Sequence, residues 1–252
     1  MDSIDLWQII FEFAPFLAQI RLTCVCRYFH EKLRMEDFLN IPNEYLALLS
    51  DPILRSYAHI TQLDASYNPQ ITDINHLTRL EGLVATGNCG IGDAGLSNLN
   101  LLALDISDNP KVTNLNHMTK LRILGAKGFF YGDGIGDDGI KNLNLRELHL
   151  TNNVRIASIG HMTNLEILNA NHCIITDVDI STLNLVELYA HNNMLITNLN
   201  HMTKLKILDA SGPKCGITKE GIKDLKLEKV FSYWNPKITG PAFTLEFLPL
   251  HR

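Results

Sequence analysis

The sequence predicts an α/β solenoid of about nine stacked repeats, each giving one short strand to a parallel sheet, preceded by a small all-helical segment. Three observations predict it. The pattern L-x-x-L-x-L/A-x-x-N returns every 20 to 24 residues from residue 60 onward. Its central L-x-L/A has period two, the signature of a strand with one buried face. Residues 1–37 are apolar and do not share the pattern.

The repeats are read first, because they decide the fold. Clear copies are ITQLDASYN (60–68), LEGLVATGN (80–88), LLALDISDN (101–109), LRELHLTNN (145–153), LVELYAHNN (185–193) and LEKVFSYWN (227–235). Weaker copies start at Leu121, Leu165 and Leu205, with Phe129, Cys173 and Pro213–Cys215 where the others have Asn. The Asn should end the strand and bond backbone groups at the bend. One unit cannot bury its own apolar face, so neighbours must stack. At about 4.8 Å per strand, nine strands would span roughly 43 Å as an arc with a concave strand face.

The second halves alternate in kind. Odd repeats return through ITDINHLTR, VTNLNHMTK, IASIGHMTN and ITNLNHMTK; even repeats through GIGDAGLSNLN, GIGDDGIKNLN, IITDVDISTLN and GITKEGIKDLK. The acidic or Thr-led starts of the latter read as N-caps of single-turn helices. The repeats, residues 60–252, resemble the leucine-rich-repeat family, whose members are mostly protein-recognition scaffolds.

Residues 1–37 read as two apolar helices joined near Pro15, which suits the first turn of the second. Leu22, Val25, Cys26, Phe29 and Leu33 fall on one face at helical spacing. So short a segment is not stable alone: it either caps the solenoid or is covered by a partner. IIFEFAP (9–15) and IRLTCVCRYF (20–29) resemble the F-box, the helical module that docks on the adaptor of cullin-RING ubiquitin ligases. Phe29 stands for the family's usual Trp, and Ser3 for its Pro. The resemblance implies a substrate receptor of that ligase type, with Leu6, Ile10, Phe11, Pro15, Leu22, Val25 and Cys26 meeting the adaptor. Residues 38–59, with NEYLALL and DPILRSYAHI, would be a helical linker and the N-terminal cap.

Composition bounds the function. Apolar residues make up 46% and charged residues 19%, enough for a core. A net charge of −5 argues against nucleic acid as partner. The start lacks the basic residues of a signal peptide, and no run reaches the roughly 18 apolar residues of a membrane helix. Five cysteines, two of them only two residues apart, do not form a disulfide framework. The expectation is an intracellular protein of the cytoplasm or nucleus of a eukaryotic cell, its own or a host's. The alternative is a structural or scaffolding protein whose N-terminal helices only cap the solenoid, and a viral gene would make it a candidate particle component.

No enzyme, cofactor or metal is expected. His76, His117, His161 and His201 recur in odd repeats, about 10 Å apart by strand spacing, too far to share a zinc with bonds near 2 Å. Cys89, Cys173 and Cys215 read as small buried side chains. His191, Asp209 and Ser211 match a Ser/His/Asp set by composition, but an open strand face lacks a pocket that excludes water. DGIGDDG (133–139) does not have EF-hand spacing. An insertion around Gly128–Gly134 carries Phe129, Phe130 and Tyr131, to be read either as contact surface or as a lid on the core.

The outward strand positions form the candidate client-binding face. They are small and weakly acidic early, as at Asp64, Val84 and Asp105, and aromatic later. His149, Asn169, Asn171, Tyr189, His191, Asp209, Phe231, Tyr233 and neighbouring Trp234 should meet an unknown client protein, since aromatics concentrate at interfaces. The alternative is that the late aromatics shield the end of the core.

Overall fold

A computed structural model of the chain describes residue 18 and residues 36–39, 43–128 and 134–238. The F-box-like stretch, with Leu6, Ile10, Phe11, Pro15, Leu22, Val25 and Cys26, lies outside the described residues, as do Phe129, Phe130 and Tyr131. The chain divides into two compact units, meeting in sequence between Leu121 and Arg122.

Unit 1 holds β1 (Asp37–Phe38), α1 (Asn43–Leu46), α2 (Asp51–Leu54), β2 (Gln62–Asp64), β3 (Gly82–Val84), α3 (Asp93–Leu96) and β4 (Ala103–Asp105). Its strands pair in parallel and in chain order, Phe38 opposite Leu63, Leu63 opposite Leu83 and Leu83 opposite Leu104. β1 corrects the sequence reading, which has the helical segment running into a helical linker here. The Glu36 carbonyl accepts from the Thr61 and Gln62 amides, so these residues are the first rung below the repeats.

Unit 2 holds β5 (Ile123–Gly125), α4 (Asp137–Ile140), β6 (Glu147–His149), β7 (Ile167–Asn169), β8 (Glu187–Tyr189), β9 (Ile207–Asp209), a 3-10 turn at Glu220–Ile222, and β10 (Lys229–Phe231). These strands are also parallel and in register, the motif leucines Leu124, Leu148, Leu168, Leu188 and Leu208 standing opposite one another. Each unit is thus a run of leucine-rich-repeat-like parallel β-solenoid, with three repeat strands in unit 1 and six in unit 2 where the period-two cores place them. Among the described residues no helix is long and apolar enough to cross a membrane.

The alternation follows from which side chains face inward. In the repeat from Leu101, Leu104, Ile106, Val112, Leu115 and Met118 are all buried. Each such side chain contributes about 1.5–3 kcal/mol relative to exposure. The in-between strand residues Asp64, Asp105, Asn169, Tyr189 and Asp209 are half-buried, as outward positions of a packed strand should be.

The bend supplies two findings that the motif alone does not. The residue before the Asn position has positive φ in every repeat except the one from Leu121. Gly87 and Gly212 take this conformation freely, whereas Tyr67, His172 and Trp234 hold it at φ 55–56°. For such bulky residues it is strained, by about 1–3 kcal/mol. The motif Asn is buried only in odd repeats, at Asn68, Asn109, Asn153, Asn193 and Asn235. Asn88, which the pattern equates with them, is exposed, and Cys89 takes the interior place. Cys173 and Cys215 fill it in later even repeats.

Asn68 ties the first repeat to the Leu46 and Leu49 carbonyls before it, and each later buried Asn ties two repeats. Asn109 Nδ2 donates to the carbonyls of Ala85 and Ile91, while its Oδ1 accepts from the Lys111 amide. Asn235 repeats this with Ala210, Ile217 and Lys237. A thiol satisfies less: Cys173 Sγ donates to the Leu150 carbonyl at 3.0 Å.

The acidic starts of the even returns are not N-caps, which corrects the sequence reading. Gly92 and Gly136 occupy the cap positions with no side-chain bond, and Asp93 and Asp137 lie in the first turn. Their carboxylates reach forward to the next repeat instead. Thr113 donates its amide and hydroxyl to Asp93. Asp51 takes the same bonds from Thr72, and Asp177 from Thr197. Asp137 meets the Ala157 and Ser158 amides. Lys219 stands at the corresponding place in the last even repeat and ends the series.

Candidate protein interface

The strand face of unit 2 carries three outward rows, because residues two apart in a strand share a face. The first row alternates Ile and Glu: Ile123, Glu147, Ile167, Glu187 and Ile207, then Lys229. The second holds Gly125, His149, Asn169, Tyr189, Asp209 and Phe231. The third holds Lys127, Thr151, Asn171, His191, Ser211 and Tyr233. The sequence reading took its site residues from the second and third rows and missed Glu147 and Glu187, whose signal was the alternation itself.

The first-row acids organise the second. Tyr189 donates its hydroxyl to Glu187 Oε2 at 2.9 Å, and burial together with that carboxylate pushes its phenol up to about 12. His149 Nε2 stands 3.9 Å from Glu147 Oε2. Asn169 Oδ1 takes the Thr151 hydroxyl at 3.0 Å and the Asn171 amide at 3.1 Å. Asn171 Oδ1 in turn accepts the His191 amide at 2.7 Å. Six of the nine expected client-binding residues, from His149 to Asp209, are therefore brought onto four neighbouring strands and the turns that follow them.

Phe231 is half-buried like those six, and Tyr233 and Trp234 are more open. Tyr233 is 43% exposed and Trp234 81% exposed, with ring centroids 6.5 Å apart. Trp234 therefore does not shield the core; its place on the bend turns the indole outward. Beyond the rows, Arg146 pairs with Glu166 at 2.8 Å and Lys206 with Glu228 at 2.9 Å, both between exposed side chains.

The bonds formed by His191, Asp209 and Ser211 are not those of a triad. Asp209 Oδ1 accepts the amide of Ser211, Ser211 Oγ accepts the amide of Tyr233, and the His191 ring meets Asn192. Two of the recurring histidines bond backbone, the Nε2 atoms of His117 and His201 lying 3.1 Å from the Leu96 and Ile180 carbonyls, whereas the buried Nε2 of His76 has no hydrogen-bond partner among the described residues. Burial pushes the thiols of Cys89 and Cys215 up, and that of Cys173 to about 12. All three are neutral at physiological pH.

No protein-family model matches the chain, and no curated protein matches it. Among solved structures, an internalin from Listeria monocytogenes is similar at 26% identity and a TM-score of 0.47. The similarity covers 71% of this chain and 56% of that one, so the chain spans little more than half the length of the protein it matches. The fold is what this chain displays.

Proposed function

We propose that this chain is a protein-recognition module without catalytic chemistry, holding a client on the strand face of unit 2. The observation that carries the reading is the pair of open aromatics, Tyr233 at the end of the third row and Trp234 on the bend beside it, next to the second row's Tyr189 and Phe231. Solvent-facing aromatics on a rigid sheet offer contact area at small cost in side-chain entropy. The function follows from position alone: a client held here is presented to whatever the rest of the chain binds.

The finer reading comes from the resemblance of residues 1–37 to an F-box. In it, Leu6, Ile10, Phe11, Pro15, Leu22, Val25 and Cys26 dock the adaptor of a cullin-RING ligase, and the client is ubiquitinated by other subunits. Pull-down of that adaptor from a eukaryotic lysate by the full-length chain, lost with Val25→Asp, is the expected result. A folded full-length chain that retains no adaptor would contradict it.

A scaffolding role is the second reading. It is favoured by Val178 and Met194, apolar residues 79% and 56% exposed away from the strand rows. Lateral contacts of a scaffold would use such positions. Substituting Val178 and Met194 with Ser would then disrupt assembly, whereas the recognition reading expects no loss of client.

A further inference from the structure

Three basic side chains of unit 2 converge at the rim of the strand face. His172 sits on the bend of one repeat, held at φ 56°, and its ring centroid lies 5.2 Å from that of His191 in the next. Lys214, on the bend of the repeat after, is exposed and has no ion-pair partner among the described residues. The nearest acids of the strand face are engaged elsewhere, Glu187 by the Tyr189 hydroxyl and Asp209 by the Ser211 amide.

Asn192 links the group. Its Oδ1 accepts the Lys214 amide at 3.2 Å, which turns Nδ2 toward His191 Nε2, 3.0 Å away. An amide N–H can only donate, so Nε2 is the accepting nitrogen in this contact. The charged groups facing His172 are His191 and Lys214, both of which hold its proton affinity down, after burial, the largest cause. A cluster of this kind is completed by an anion from outside.

We propose that His172, His191 and Lys214 form a carboxylate-binding site for an acidic segment of the client protein. The proposal rests on the reading of this face as a protein-binding surface and names the chemistry of its partner. Charge distribution supports it: residues 204–237 carry eight lysines against four carboxylates, in a chain whose net charge is −5. An acidic segment would be drawn to this end of the repeats.

The test is fluorescence anisotropy of the full-length chain with a labelled deca-aspartate peptide, whose carboxylates stay ionised down to about pH 5. Binding should tighten roughly tenfold from pH 7.5 to pH 5.5. His172→Asn/His191→Gln should abolish the pH dependence, and Lys214→Glu should weaken binding at both values. Circular dichroism at both pH values checks that each variant is folded. Absent or pH-independent binding, or binding unchanged in the double variant, would overturn the proposal. So would tighter binding of a single-stranded DNA dodecamer through the same residues, which would make the partner a nucleic acid. Client capture sensitive to Tyr189→Ala/Phe231→Ala, with no aspartate binding, would leave the surface reading standing and remove only this site.

Discussion

Thr113 and Asp93, one repeat apart, are bonded twice: the Thr113 hydroxyl donates to Oδ2 at 2.6 Å and its amide to Oδ1 at 2.7 Å. The Asn114 amide adds a third bond at 3.1 Å. A carboxylate that accepts two backbone N–H groups is a lateral tie between coils of the solenoid. Asp93→Ala should destabilise the chain by about 1–2 kcal/mol in urea unfolding, because it strands donors on the neighbouring return. Thr113→Val, which keeps the amide bond, should cost less. Equal losses would show that the hydroxyl alone carries the tie.

This relationship shows where reading the sequence stops. The strands were legible because their cores obey a period of two, and Leu63, Leu104 and Leu188 are buried as that period requires. The acid at Asp93 was legible as a helix start but not as a tie, since its partners lie 20 and 21 residues on. The motif likewise hid the difference between Asn88 and Asn109: only packing shows that one is outside and the other inside. At the candidate site, the outward rows could be written from alternation alone. His172 and Lys214 could not, because the left-handed bend that lifts them to the rim has no fixed residue signature.

The interior Asn residues should be costly to replace. Asn109→Ala would leave the carbonyls of Ala85 and Ile91 without their donor inside the coil. A loss of about 2–3 kcal/mol is expected by denaturant unfolding. Asn88→Ala, on the exposed side, should change stability by less than about 0.5 kcal/mol.

Close backbone approach makes a similar demand on Gly95 and Gly221. A Cβ on Gly95 would lie 2.1 Å from the carbonyl oxygen of Thr72, and one on Gly221 2.0 Å from that of Thr197. Gly95→Ala and Gly221→Ala should each destabilise by about 1–3 kcal/mol, since backbone rather than a side chain must move. Thermal unfolding that matches the parent chain would show that the returns are looser than these contacts state.

The buried cysteines should be chemically silent. With their thiols raised by burial, Cys89, Cys173 and Cys215 should resist iodoacetamide at pH 8 in the native chain and react fully in denaturant. Peptide mapping by mass spectrometry resolves each site. Rapid native labelling of Cys173, pushed up to about 12, would contradict the packing around the Leu150 carbonyl.

The His172 ring gives a pH dependence with a defined sign. Its proton affinity is lowered in the folded chain, so the unfolded state binds the proton more readily. The contribution to stability is present above the unfolded value of 6.5 and is lost as pH falls through the folded value. Between pH 7.5 and 5.5 the parent should therefore lose more of its Tm than His172→Asn, whose side chain suits the left-handed bend. Parallel losses would mean that neither burial nor the neighbouring His191 and Lys214 lowers the ring's proton affinity.

The central claim is that the strand face of unit 2 holds a client protein. Quantitative capture from a eukaryotic lysate, comparing the full-length chain with a folded Tyr189→Ala/Phe231→Ala variant, tests it most directly. The account predicts a defined set of proteins retained by the parent and depleted by roughly tenfold or more in the variant. The same proteins retained equally by both would contradict it.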